Sequence, residues 1–201
     1  MKSKLFLFAV VLLCLNNVTA QENTLFNNTK HRFGLNIGFG GQSLLHVNYD
    51  YDVAIFQAQY FYAFHRRKIW GFDLLVQTQY NKTRCECSED GSDRVPGNEF
   101  GLNAGILIRV NALHDLLSFY AFVTSGPHHI SGAPDRQCNG FVFSDNFFAG
   151  INIRLFKNVY LDFKTGFRHM SSAGITSPNG GINNFLISGG LIRNIKSNRH
   201  H

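Results

Sequence analysis

Residues 99–110 read Glu-Phe-Gly-Leu-Asn-Ala-Gly-Ile-Leu-Ile-Arg-Val. Every second residue from Phe100 to Val110 is apolar, and the residues between them are Gly, Asn, Leu and Arg. Because successive side chains of a β-strand point to opposite faces, this alternation predicts a strand with one apolar face and one more polar face. A run of about ten residues in this pattern suits a strand that crosses a bilayer at a tilt.

The same alternation recurs along the chain and predicts about eight extended segments, while no segment has the pattern of an amphipathic helix. The segment after Asp50 is ambiguous, because both of its faces carry aromatic residues. The predicted spans are 32–41, 50–63, 68–81, 98–111, 116–125, 140–155, 158–170 and 183–194.

The predicted connections alternate in length. Those near residues 65–67, 112–114 and 156–158 are short, whereas those at 82–97, 126–139 and 171–182 are long. Short periplasmic turns and longer outside loops are typical of outer-membrane barrels, and closure of the sheet pairs every backbone group. We therefore predict an all-β fold, an eight-stranded antiparallel transmembrane β-barrel of the outer membrane. The alternatives are a soluble sandwich or a secreted lipocalin-like barrel, and the latter would need its apolar face inside.

The N-terminus has the features of a secretory signal. Lys2 and Lys4 precede the apolar run 5–15, and Val18-Thr19-Ala20 is a small-residue cleavage site. We predict a signal peptide over 1–20 and a single barrel domain over 21–201. Cleavage removes two lysines and no acidic residue, so the formal charge falls from +6 to +4. The remaining basic residues form no run, so nucleic acid is not an expected partner, whereas a membrane of anionic lipid is.

Three cysteines remain after cleavage, namely Cys85, Cys87 and Cys138. Outside the cytoplasm one disulfide is expected, and the predicted loops allow Cys138 to pair with either Cys85 or Cys87. The spacing is a poor zinc signature, so we predict no metal and no cofactor. We interpret the pairs His128-His129 and His200-His201 as solvated side chains of a loop and a tail rather than as metal ligands.

The chemistry is predicted in the segment 167–183. His169 and Ser171 are two residues apart, so they point to the same face of a strand, and a histidine is the usual base that activates a serine. A third polar group usually orients the imidazole. Asn183 can do so, because Ser177-Pro178-Asn179-Gly180-Gly181 predicts a turn that brings the chain back.

These three residues continue the apolar phase of their strands, so the sequence predicts them on the outer wall near the extracellular rim. Polar residues on that wall are costly, which favours a functional explanation and a lipid substrate in the outer leaflet. Arg168 has the opposite phase and is predicted to brace the interior by pairing with Asp162, Glu99 or Asp145.

The segments Arg168–Gly174 and Pro178–Ile182, with Gly126-Pro127-His128 and 137–144 upstream, resemble the outer-membrane lipid A 3-O-deacylase family (acyloxyacyl-hydrolase-like, PagL-like) over roughly residues 98–193. The resemblance implies an eight-stranded barrel that hydrolyses the 3-O-acyl ester of lipid A in lipopolysaccharide. It also implies Ser171 as nucleophile and His169 as base.

The family pattern further implies an oxyanion hole formed by the backbone N–H groups of Ser172 and Gly174 and the side chain of Asn179. The chain departs from this pattern at two positions. Asn183 stands where the family has a glutamate, and Ser172 stands where it commonly has an asparagine. An asparagine orients a neutral imidazole but supplies no charge for the imidazolium, so a slower enzyme is expected.

The sequence therefore predicts an outer-membrane serine esterase with a Ser-His-Asn site that acts on lipid A in the outer leaflet, and we also consider a homodimer. The alternative is a catalytically weak or inactive barrel with a structural, lipid-binding or adhesion role. The missing glutamate favours this alternative.

Overall fold

The computed structural model describes residues 29–42, 50–67, 69–86, 94–113 and 116–195, without the side chain of Glu86. The signal peptide predicted for 1–20, Cys87 and the histidine pair at 200–201 lie outside the described residues. None of the described residues form a helix long and apolar enough to cross a membrane.

Eight antiparallel strands form a closed barrel in which each strand pairs with its neighbours in sequence, and β8 pairs with β1. The predicted fold class is confirmed. The strands are β1 (His31–Gly41), β2 (Asp50–Arg66), β3 (Trp70–Glu86), β4 (Arg94–Ala112), β5 (Leu117–Ile130), β6 (Gly140–Phe156), β7 (Val159–Ser171) and β8 (Ile182–Ile195).

The outer wall of the barrel is apolar, as the alternation predicts. Ile37 and Phe147 are 66% and 68% exposed, respectively, and large apolar side chains point outward along every strand. Burial resolves the ambiguous β2, since Phe56 and Tyr60 face outward while Val53 and Ile55 are buried inside. A ring of exposed apolar side chains is stable in lipid rather than in water, so the surface is that of a membrane-spanning barrel.

The interior is filled by polar side chains that hydrogen-bond one another across the lumen. At the extracellular end, Glu99 accepts hydrogen bonds from Tyr51 Oη at 2.8 Å and from Asn81, and it forms an ion pair with Arg168. Arg168 also donates to Asn184 Oδ1 at 2.7 Å. The prediction that Arg168 braces the interior is confirmed, and Glu99 is its partner among the three candidates.

Three sequence predictions need correction. The strands β3, β4 and β5 extend four or five residues further toward the extracellular side than predicted. Cys85 therefore lies in β3, buried inside the barrel, and not in an outside loop. The pair His128-His129 lies in β5 rather than in a loop. His128 is buried inside, with Nε2 2.9 Å from Asn103 Nδ2, and His129 is exposed.

Candidate active site

The pairing of β7 with β8 places His169 opposite Asn183 on the outer wall. His169 Nδ1 lies 2.7 Å from Asn183 Oδ1. An amide oxygen only accepts hydrogen bonds, so Nδ1 carries the ring proton and Nε2 keeps its lone pair. This tautomer of the imidazole leaves Nε2 able to accept a proton.

Ser171 is the last residue of β7 and follows His169 on the same half-buried outer face. No hydrogen bond joins Ser171 to His169 among the residues that the structure describes. In the absence of substrate, catalytic hydrogen bonds are often long or poorly aligned, so this geometry is compatible with a nucleophile and its base.

A tight turn follows Ser171. Ile175 N donates to Ser172 O at 3.0 Å, and the two central residues, Ala173 and Gly174, have positive φ angles of 52° and 81°. Gly174 adopts this conformation freely, whereas Ala173 does so at a cost of about 1–3 kcal/mol, a strain that is common beside active sites.

The residues predicted for the oxyanion hole lie close together, but two of them bond each other. Ser172 N donates to Asn179 Oδ1 at 2.7 Å, while the Ser172 hydroxyl bonds the backbone of Thr176. The Ser172 N–H is therefore occupied in this structure. The amide group of Asn179 keeps its Nδ2 hydrogens as donors, and its orientation is fixed by the bond to Ser172.

The β7–β8 loop is held from the side by the β5–β6 loop. Gly180 N donates to Arg136 O at 2.7 Å, and Cys138 N donates to Pro178 O at 2.8 Å. Gln137 is 3% exposed, and its Oε1 accepts a hydrogen bond from Gly181 N at 3.1 Å. These bonds fix residues 178–181 in a defined position beside His169.

Gly181 lies directly beside the imidazole of His169. A Cβ atom at this position would lie 2.8 Å from His169 Cε1, and its φ angle is +71°. A glycine is therefore required both by the backbone and by the imidazole. The sequence predicts no role for Gln137 or for a contact at Gly181, and its only signal for this region is the turn composition of residues 177–181.

Asp145 lies on the outer wall rather than inside the barrel. It is opposite His169 in the β6–β7 register and accepts a hydrogen bond from Ser125 Oγ at 2.6 Å. The prediction that it is a candidate partner of Arg168 is wrong, because the two side chains point to opposite faces of the sheet.

No disulfide joins Cys85 to Cys138. Cys138 is a free thiol whose Sγ lies 3.1 Å from Ser177 O, and Cys85 is enclosed in the barrel. The other predicted pair, Cys87 with Cys138, involves a residue outside the described ones. Among the described residues, no group of His, Cys, Asp and Glu could hold a metal ion.

Comparison with known proteins gives a family match over most of the barrel. The model of the family described as "Lipid A 3-O-deacylase (PagL)" matches residues 53–191. No curated protein matches the chain.

Three solved structures are similar to the chain. The crystal structure of the outer-membrane enzyme PagL is 15% identical, with a TM-score of 0.57, and the match covers 82% of this chain and 99% of that one. The outer-membrane protein Ail of Yersinia pestis is 13% identical, with a TM-score of 0.42 and coverages of 80% and 98%. The outer-membrane protein OprG of Pseudomonas aeruginosa is 7% identical, with a TM-score of 0.45 and coverages of 84% and 98%.

The barrel, its apolar outer wall and the family match together place the chain in the outer membrane as an ester hydrolase acting on lipid A. The family model spans both the His169–Asn183 pair and the loop between these residues. The chain belongs to the PagL family of lipid A 3-O-deacylases.

Proposed function

We propose that the chain removes the 3-O-acyl chain of lipid A by a serine-esterase mechanism at Ser171, His169 and Asn183. The observation that carries this proposal is the 2.7 Å bond between His169 Nδ1 and Asn183 Oδ1 on a wall that otherwise faces lipid. Placing a hydrogen-bonded imidazole beside a serine on such a wall is energetically costly, and this cost favours a functional explanation for the pair.

In the first half of the reaction, Ser171 Oγ attacks the ester carbonyl of the acyl chain, and His169 Nε2 takes the hydroxyl proton. The tetrahedral intermediate then collapses, and the imidazolium returns the proton to the sugar oxygen as it leaves. In the second half, water attacks the acyl-serine with the same histidine as base. The products are the 3-hydroxy fatty acid and lipid A with a free 3-hydroxyl group.

Asn183 positions the imidazole but supplies no negative charge. Its Oδ1 holds the tautomer in which Nε2 is the base. A carboxylate at this position would also stabilise the imidazolium that forms during the attack, so the proposed enzyme is slower than one with a full charged triad.

The negative charge on the carbonyl oxygen needs hydrogen-bond donors. We assign this part to Gly174 N–H and Asn179 Nδ2, with Ser172 N–H fixing the Asn179 amide through its 2.7 Å bond. Removal of one oxyanion donor typically costs about 10²–10³ in rate. Below the site, the apolar outer wall offers an environment for the acyl chain that remains in the leaflet. One copy of the chain contains all of these residues, and the homodimer stays a prediction.

The test is mass spectrometry of lipid A from cells that express the wild type, Ser171→Ala or His169→Asn. Loss of one 3-hydroxyacyl mass is expected with the wild type and not with either variant, because removal of a triad member costs about 10⁴-fold or more. Thr165→Ala, a hydroxyl removed from the same face of β7, serves as control and is expected to act as the wild type does. Heat-modifiable migration on gels checks that every variant forms the barrel.

Release of the acyl chain by Ser171→Ala at the wild-type rate would disprove the nucleophile assignment. Unchanged lipid A with all proteins would instead favour a barrel with weak or lost catalysis and a lipid-binding role. Two observations give that second function its support, namely the uncharged Asn183 and the missing bond between Ser171 and His169.

A further inference from the structure

A row of three aromatic residues marks the upper edge of the apolar belt on one side of the barrel. Phe56, Tyr80 and Phe100 are opposite one another in the registers of β2, β3 and β4, and all three are exposed. The rings of Phe56 and Tyr80 are 6.4 Å apart. Such aromatic girdles lie at the level of the lipid head groups, so the residues beyond this row face the polar layer.

A groove of about 850 Å³ lies directly beyond this row, across the outer faces of β8, β1, β2, β3 and β4. Small residues form its floor. Gly41 stands in register between Phe185 and Asp52, and Ala54 lies two positions further along β2. The exposed side chain of Phe39 stands between Ala54 and Ile187 and gives the groove an apolar edge.

Two cations line the far side of the groove. Lys82 and Arg84 lie two apart on β3, both exposed and on the same outward face. Neither has a carboxylate partner within salt-bridge distance among the residues that the structure describes. Arg94 lies 3.3 Å from Asp50 and 3.6 Å from Asp52, and Asp52 is opposite Arg84 in the β2–β3 register. Three cations against these two carboxylates leave a net charge of +1 on the described groups.

The near side of the groove belongs to the strand that carries Asn183. Phe185 lies two residues from Asn183 on the same face of β8 and lines the groove. The register runs from Phe185 through β1 and β2 to Arg84. Three strand spacings of roughly 4.8 Å put the cations about 14 Å from the β8 side of the site.

We propose that this groove binds the phosphorylated sugar head group of the lipid substrate, with Lys82 and Arg84 as the phosphate-binding residues. The proposal rests on the proposed function, because the occupant is the lipid whose ester reaches Ser171. An arginine matches phosphate geometry through two N–H groups, and a lysine adds a mobile point charge. The groove thereby orients the head group so that the 3-position faces the catalytic residues.

The first test measures binding without turnover. The Ser171→Ala protein in neutral detergent micelles is titrated with bisphosphorylated lipid A and with the same lipid after removal of its phosphates. Phosphorylated lipid A is expected to bind about tenfold more tightly, and the added double substitution Lys82→Gln/Arg84→Gln is expected to abolish this preference. The control, Lys157→Gln/Arg193→Gln, removes two exposed cations at the other end of the barrel and is expected to keep it.

The second test measures turnover in an otherwise wild-type chain. Lys82→Gln/Arg84→Gln is expected to raise the KM for phosphorylated lipid A about tenfold, while kcat and the hydrolysis of a small neutral ester stay unchanged. A merely structural effect of the double substitution would also lower hydrolysis of the neutral ester, which would overturn the proposal.

Three further outcomes would overturn it. The first is that the Ser171→Ala protein binds both forms of lipid A equally well. The second is that the control substitution Lys157→Gln/Arg193→Gln loses the preference as well. The third is that Lys82→Gln/Arg84→Gln weakens binding to phosphatidylglycerol micelles by the same factor, which would indicate a general contact with anionic lipid. The two proposals can fail separately. Phosphate-dependent binding without ester hydrolysis would contradict the proposed function alone, and hydrolysis without phosphate dependence would contradict the phosphate site alone.

Discussion

Strands β7 and β8 carry two neighbouring polar pairs that face opposite sides of the wall. Arg168 is opposite Asn184 in the register, and His169 is opposite Asn183. The inner pair is completely buried, and its guanidinium bonds both Glu99 and Asn184. The outer pair has one hydrogen bond between its members and opens toward the membrane.

The difference shows how a strand separates stability from chemistry. Inside, every donor of the pair is used in a network that closes the extracellular end of the barrel, and buried charges of this kind must be fully paired. Outside, the bond to Asn183 uses Nδ1 of His169 and leaves Nε2 for the proposed reaction. The alternation of side chains allows these two demands to be met at consecutive residues.

The largest effect is expected from the inner network. Glu99→Gln removes the charge that pairs with Arg168 and leaves a buried guanidinium without its counter-ion. We expect the free energy of unfolding to fall by about 3–5 kcal/mol, measured by urea unfolding in lipid vesicles. The kcat for lipid A at low temperature should stay close to wild type, because the outer pair is unchanged.

Asp50→Asn is the matched control for Glu99→Gln. It removes one carboxylate of an ion pair with Arg94 whose two side chains are 46% and 53% exposed. Exposed pairs of this kind contribute little. A similar loss in the free energy of unfolding in both variants would show that the buried ion pair stabilises the barrel no more than the exposed one.

A smaller effect, in opposite directions, is expected at the outer pair. Asn183→Ala should lower kcat about tenfold, since it removes one hydrogen bond that orients the base. Asn183→Glu should raise kcat, because a carboxylate also stabilises the imidazolium. Release of 3-hydroxy fatty acid gives both rates. A fall in kcat with Asn183→Glu would mean that the amide has a geometry of its own in this chain.

The smallest effect is expected at the glycine beside the imidazole. Gly181→Ala places a methyl group 2.8 Å from His169 Cε1, which is closer than Cβ contacts in proteins come, so the ring or the backbone has to move. We expect kcat to fall about fivefold, because small misplacements of catalytic groups are expensive. Gly140→Ala is the control. Its φ angle of +105° also lies in the region that favours glycine, but no atom lies within 4 Å of the added Cβ.

Equal kcat values for Gly181→Ala and Gly140→Ala would show that the contact with the imidazole does not position it. If the two variants have equal unfolding midpoints, backbone strain lowers their stability equally. A difference in kcat between them then comes from the contact with the imidazole.

Most of the fold could be predicted from alternation alone, because lipid outside and polar packing inside give every strand two different faces. The prediction fell short at the extracellular ends of β3, β4 and β5. Beyond Tyr80 the outer face meets head groups rather than hydrocarbon, so Lys82, Thr83 and Arg84 are polar on both faces and the contrast disappears. β3 nevertheless continues, because its backbone stays paired with β4 as far as Glu86. Cys85 is therefore part of the strand and is buried inside the barrel.

The site was predictable to the extent that it follows strand phase. His169 and Asn183 lie together because the turn between β7 and β8 fixes their register. The partner of Arg168 could be narrowed only to three acids, since the choice of Glu99 depends on packing across the lumen. The contact of Gln137 with Gly181 joins residues 44 positions apart and leaves no periodic signal in the sequence.

The β5–β6 loop contributes none of the proposed reacting groups, yet its bonds to residues 178–181 connect it to the segment beside His169, the proposed base. It is one of the long connections, which in outer-membrane barrels lie on the outside of the cell. An antibody fragment that binds residues 131–139 and pulls Gln137 away would release Gly181 and slow the enzyme without entering the bilayer. The proposed reaction at the lipid-facing wall could therefore be inhibited through a loop that is accessible from water.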